Sequence, residues 1–146
     1  MQPAPPGSLF AILDAIVSGA PLLLIQFLAS IALLAIGVAI YTAVTPFRER
    51  ALMAAGNVAA GVVFAGAVIA LALPIAAVLG TSSRLLDILV WGIVALVLQL
   101  LTLGVLSLVL RNLRAAIEAG NVAAAIGLAA GQIAVALLNA AAMIPI

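Results

Sequence analysis

The chain has no cysteine, no histidine and no lysine, and only 6% of its residues are charged. Without cysteine and histidine there are no disulfides, no thiolate nucleophile, few ways to hold zinc and no imidazole general base. No nucleophile stands beside a base in the sequence, so no catalytic residue, metal or cofactor is expected. Five arginines face four acidic residues, for a net charge of +1. Nucleic-acid binding needs a basic stripe, and this balance provides none. A soluble domain carries roughly a quarter of its residues as charges, so this chain cannot cover a water-facing surface of ordinary composition. No Lys or Arg precedes the first apolar run, which is also too long for the core of a signal peptide. It reads as a retained helix.

What the chain has in abundance is apolar length. Hydrophobic residues make up 68% of it and the mean hydropathy is +1.51. Lipid is the expected solvent, and a helix needs about 20 such residues to cross it. The 146 residues read as one all-α membrane domain with four spans, 21–44, 46–79, 85–110 and 118–144. Pro21 suits a first helical position, and Thr45-Pro46 breaks the first span, because the residue before proline avoids the helical region. Thr45 is a plausible N-cap for the second span, and Gly80-Thr81-Ser82-Ser83 reads as a turn. Residues 8–18, capped by Ser8, either lie at the interface as a short amphipathic helix or extend the first span.

Arg48, Arg50, Arg111 and Arg114 fall in the first and third connections, and only Arg84 in the second. The positive-inside rule then places the first and third loops in the cytoplasm and both termini on the other side. Glu49 and Glu118 lie near helix starts among these arginines, and solvated interface ion pairs account for them. Asp87 either pairs with Arg84 or caps.

An internal repeat underlies the pattern. The run GNVAAGVVFAGAVIALALPIAA from Gly56 matches GNVAAAIGLAAGQIAVALLNAA from Gly120 without gaps at more than half of its positions. Each unit is a helical hairpin. An even number of crossings separates the copies, so they are parallel repeats.

Few polar residues enter the spans. Gln99 and Gln132 sit near mid-span at similar depth, where lipid offers no hydrogen-bond partner. An interhelical hydrogen bond, with the two amides satisfying each other, is the plainer use; lining a polar path is the other. Asn57 and Asn121 occupy equivalent places about a turn into the second and fourth spans, where asparagine is a poor helix former without a bonding task. Small residues at Gly120, Ala124, Gly127, Gly131 and Ala134 form a stripe, echoed by Ala59, Gly66 and Ala70. Such stripes let helices approach closely, within a chain or between chains. Pro74 should kink the second long helix.

Tyr41 with Thr45-Pro46 and Glu49; Gly56-Asn57 with Ala59-Ala60; Leu73-Pro74; Ser83, Asp87 and Trp91; Ala95 with Gln99-Leu100; Ile117-Glu118; and Asn139-Ala140-Ala141 together form a specific set. On these residues the chain resembles the YjfL-like family of bacterial inner-membrane proteins, a family of unknown function, from about Phe27 to Met143. Arg48 departs from the small polar or acidic residue expected there. The resemblance implies a four-helix protein of the bacterial inner membrane and no activity. The expectation is a non-catalytic membrane subunit that self-associates or docks onto a larger membrane complex. The alternative is a small oligomeric pore or carrier with its path past the midplane amides.

Overall fold

The structure is a computed structural model that describes residues 8–45, 48–109 and 112–144, with the side chains of 107–109 excepted. Four helices are long and apolar enough to cross a membrane. The first, α1, runs unbroken from Leu9 to Val44. Ser8 caps it by accepting from the Ala11 amide at 3.3 Å. Residues 8–18 therefore continue the first span, and no separate interfacial helix forms. Pro21 lies inside α1 and does not start it; the ring removes one backbone donor, and the helical turns on both sides carry the helix through. At about 1.5 Å per residue, α1 is about 54 Å long against a hydrocarbon core of about 30 Å.

The second and fourth expected spans are each divided. A short helix α2 (Glu49–Ala54) precedes α3 (Val58–Thr81), and a short helix α5 (Leu113–Glu118) precedes α6 (Val122–Ala142). Between them, α4 runs from Leu85 to Val109. The two breaks share one backbone device. Gly56 and Gly120 adopt φ of 82° and 78°, the left-handed region where a side chain is strained. The Gly56 amide donates to the Met53 carbonyl and the Asn57 amide to Leu52, both at 2.9 Å. Gly120 and Asn121 repeat this onto Ile117 and Ala116, also at 2.9 Å. This is the Schellman closure of a helix C-terminus. The asparagine after each glycine then starts the next helix, as its Oδ1 accepts from the amide of Ala60 or Ala124 at 3.0 Å. Asn57 and Asn121 are thus N-caps, not residues a turn into a helix, and the shared Gly-Asn motif is the hinge of each repeat. Thr45 likewise closes α1, donating its hydroxyl to the Tyr41 carbonyl at 2.7 Å, and does not open the second span. Pro46 lies outside the described residues.

Close contacts fix the order of the bundle. Gly66 on α3 faces Ala129 on α6, so close that a Cβ added to Gly66 would sit 2.5 Å from the Ala129 Cβ. Leu33 on α1 fills the space over Gly92, and Leu96 on α4 fills the space over Gly37. These two pairs advance together along the chain, so α1 and α4 run parallel. On α4 and α6, Gln99 meets Gln132 while Ala95 meets Asn139, so that pair is antiparallel. Both α3 and α4 touch α1 and α6, which lie on opposite sides of them, and α3 makes its most extensive contact with α6. Pro74 is buried in that centre, where its missing amide leaves the Ala70 carbonyl without its usual helical donor.

The stripe of small residues on α6 is split by this packing. Ala125, Leu128, Ala129, Gln132 and Ala136 face inward. Gly120 and Gly127 are exposed, with nothing within 4 Å of an added Cβ, and Gly131 has only Leu106 near it at 3.8 Å. Of the glycines expected to pack helices, Gly66 does so within the chain and Gly127 does not, because the inward face of α6 is set by Ala125 and Ala129, about half a turn away.

The two hinges differ in one respect. Asn57 also donates Nδ2 to the carbonyls of Ile117 at 2.8 Å and Glu118 at 3.3 Å, tying α3 to the end of α5. Asn121 makes no equivalent bond among the described residues. Asn57→Ala should therefore lose a cap and an inter-repeat bridge, costing about 2–3 kcal/mol, and Asn121→Ala only a cap, about 1 kcal/mol. Unfolding of both variants in detergent checks this; equal losses would contradict the bridge.

Candidate functional site

Among the described residues, two places hold buried side-chain polar atoms without a hydrogen-bond partner. The first joins the end of α1 to the start of α2. Tyr41 is brought to the inner face of α1 by the same helical spacing that buries Leu33 and Gly37. Its hydroxyl donates to Glu49 Oε1. Glu49 is itself only 3% exposed, and its second oxygen, Oε2, is buried with no hydrogen-bond partner. Burial pushes the Glu49 carboxyl up from 4.5 to about 7, while the Tyr41 hydrogen bond pulls it partly back. A cavity of about 420 Å³ opens beside it, lined by Thr42, Thr45, Arg48, Glu49 and Arg50.

Glu49 is therefore not a solvated ion-pair partner of Arg48 or Arg50. The ion pair found among the described residues is Arg114 Nε to Glu118 Oε1 at 2.9 Å, between exposed side chains one helical turn apart, a kind of pair worth little in stability. Asp87 and Arg84 form none. Arg48, Arg114 and Glu118 line one shallow depression, so the first and third connections lie at the same end of the bundle. Arg111 lies outside the described residues.

The second place is the seam between α4 and α6. Gln99 and Gln132 are each 1% exposed. The Gln99 Nε2 donates to the main-chain carbonyl of Gln132 at 3.1 Å, and Asn139 Nδ2 donates to the Ala95 carbonyl at 3.1 Å. The two side-chain amides do not satisfy each other. Gln99 Oε1, Asn139 Oδ1 and both polar atoms of the Gln132 side chain are buried without a partner. The first repeat has Ala35, Val68 and Ile75 at the positions matching Gln99, Gln132 and Asn139, so this polar seam belongs to one half only.

The Tyr41–Glu49 pair is not legible as a pair in the sequence. The signal that points to it is the single tyrosine of the chain, whose hydroxyl needs a partner if buried, two helical turns before the first acid after Thr45-Pro46. The alternation of crossing directions, the buried amides and the arginines at one end define a multi-pass helical membrane protein. The family model described as Domain of Unknown Function (DUF350) matches residues 14–143, and the chain belongs to that family. No match is found among curated proteins or solved structures.

The raised Glu49 gives a signed pH dependence. The folded chain holds this proton more tightly than the unfolded one does. The stabilisation is whole below 4.5 and is lost as pH rises through about 7. In detergent without added lipid, the unfolding temperature should fall between pH 5 and pH 8, by the equivalent of about 3 kcal/mol. Glu49→Gln should flatten that fall, and Tyr41→Phe should move its midpoint upward. A pH-independent wild type would contradict the burial of Glu49.

Proposed function

We propose that this protein is a non-catalytic subunit of the bacterial inner membrane that associates with copies of itself or docks onto a larger membrane complex. The observation that carries this reading is the outward face of α6. Ala123, Gly127, Ala130 and Ala134 are all exposed there, at spacings of three and four residues that keep them on one side of a helix. In lipid, apolar area does not drive association; close backbone approach across small residues does. The inward small residues of α6 are already used against α3, so this outer stripe is free for a helix from another chain. The lack of cysteine and histidine and the thin supply of ionisable groups support a role without catalysis.

The orientation follows the gathering of Arg48, Arg50 and Arg114 at one end, with Arg84 at the other. The end that carries Arg48, Arg50 and Arg114 faces the cytoplasm and both termini face away, so an impermeant thiol reagent should label a cysteine at Thr81 and spare one at Asn112 in intact cells.

A pore or carrier is the second reading, favoured by the unpartnered polar atoms of Gln99 and Gln132. Mass and solute flux, both measured on one purified preparation, together separate the two. Wild type in mild detergent should have the mass of an oligomer or a complex, Gly127→Leu with Ala134→Leu should reduce it to the single chain, and folding should survive because both positions are exposed. A monomeric wild type, or a double variant of unchanged mass, would overturn the subunit reading. Solute flux in liposomes that disappears when Gln99 and Gln132 are both leucine would establish the pore.

A further inference from the structure

The residues lining the cavity at the end of α1 carry three groups that the packing does not use. Glu49 Oε1 accepts from Tyr41, but Oε2 is buried and has no donor. Arg48 and Arg50 line the same cavity, are exposed, and take part in no ion pair among the described residues. The hydroxyls of Thr42 and Thr45, also at the wall, are spent on the carbonyls of Ala39 and Tyr41. What remains is one acceptor without a donor and two guanidiniums without an anion. The cavity is lined by the last residues of α1, which ends at Val44, and by the start of α2 at Glu49. Exposed arginines beside the end of a membrane-crossing helix are where lipid headgroups are expected.

We propose that this cavity binds a phosphate–primary ammonium zwitterion, the headgroup chemistry of an aminophospholipid, with its phosphate on Arg48 and Arg50 and its ammonium on Glu49 Oε2. Guanidinium is the side chain best matched to phosphate oxygens. A primary ammonium brings N–H donors to the orphan oxygen; a quaternary ammonium of the same charge brings none. Glu49 pushed up to about 7 by burial fits a carboxyl whose counter-ion arrives with the ligand. An anionic headgroup without an amine would satisfy the arginines and leave Oε2 as it is.

The test compares lipids of identical acyl chains added to the protein in detergent at pH 8, with retention read by native mass spectrometry and stability by thermal unfolding. Phosphatidylethanolamine should be retained about tenfold over phosphatidylcholine, the difference of one charge-assisted hydrogen bond, and should raise the unfolding temperature further than phosphatidylcholine or phosphatidylglycerol. Glu49→Gln should erase the preference for ethanolamine over choline. If that variant does not fold, Arg48→Gln with Arg50→Gln, both at exposed positions, should lower retention of all three lipids. Soluble phosphoethanolamine that gives the full thermal shift would assign the same site to a free phosphoamine; no shift from it assigns the site to lipid. Equal retention of ethanolamine and choline lipids by the wild type, or a preference that survives Glu49→Gln, would overturn the proposal.

Discussion

The contact between α3 and α6 is the constraint on which the rest of the bundle depends. Helices in lipid gain nothing by hiding apolar surface from water, so they hold together only where backbones come close or polar groups need each other. Here the approach is made at Gly66 against Ala129, with Ala59, Ala60, Val63 and Ala125 buried along the same seam. The two Gly-Asn hinges set it up. Each ends a short surface helix and starts a long one at the same depth, so the two long helices begin level and run side by side. Asn57 then ties the start of α3 to the end of α5. Changing either hinge changes where α3 and α6 begin, and with it the register of everything they contact.

Polar satisfaction explains the remaining order. Three side-chain amides each donate to a main-chain carbonyl on a neighbouring helix: Gln99 to α6, Asn139 to α4, Asn57 to α5. These bonds are directional, and they specify helix pairs that alanine and leucine alone leave interchangeable. The same logic isolates Glu49. It is the one acid with a buried carboxyl among the described residues, and a single hydroxyl is not enough to complete it. A half-satisfied carboxyl is costly, which is why it reads as a site and not as packing.

Much of the architecture is legible in the sequence because the physical signal is strong. Span number follows from apolar length, and the likeness of the two Gly-Asn turns goes with the exact recurrence of Gly-Asn-Val-Ala-Ala. The divisions of the second and fourth spans are also written there, in a glycine followed by an asparagine, which are the C-terminal and N-cap residues of adjoining helices. They are hidden by the apolar residues on both sides, which make a hydropathy run continuous across a break. The face of α6 that packs inward is not legible. Alanine and glycine recur on nearly every side of that helix, so composition gives no phase. The partner of Gln99 is hidden for another reason: main-chain carbonyls carry no sequence signature, and an amide can be satisfied by any of them. Glu49 escapes a reading from sequence because an acid between two arginines looks like a surface ion pair, and its burial against Tyr41 has no signature in the sequence.

The most direct test of the account is a double-mutant cycle at the α3–α6 contact. Gly66→Ala places a Cβ 2.5 Å from the Ala129 Cβ and 2.9 Å from its Cα, so it should lower the unfolding temperature of the protein in detergent. Removing the opposing methyl by Ala129→Gly in the same chain should return a large part of that loss, giving the non-additivity expected of residues in contact. Losses that simply add, with Gly66→Ala costing the same whether residue 129 is alanine or glycine, would contradict a bundle organised around that approach.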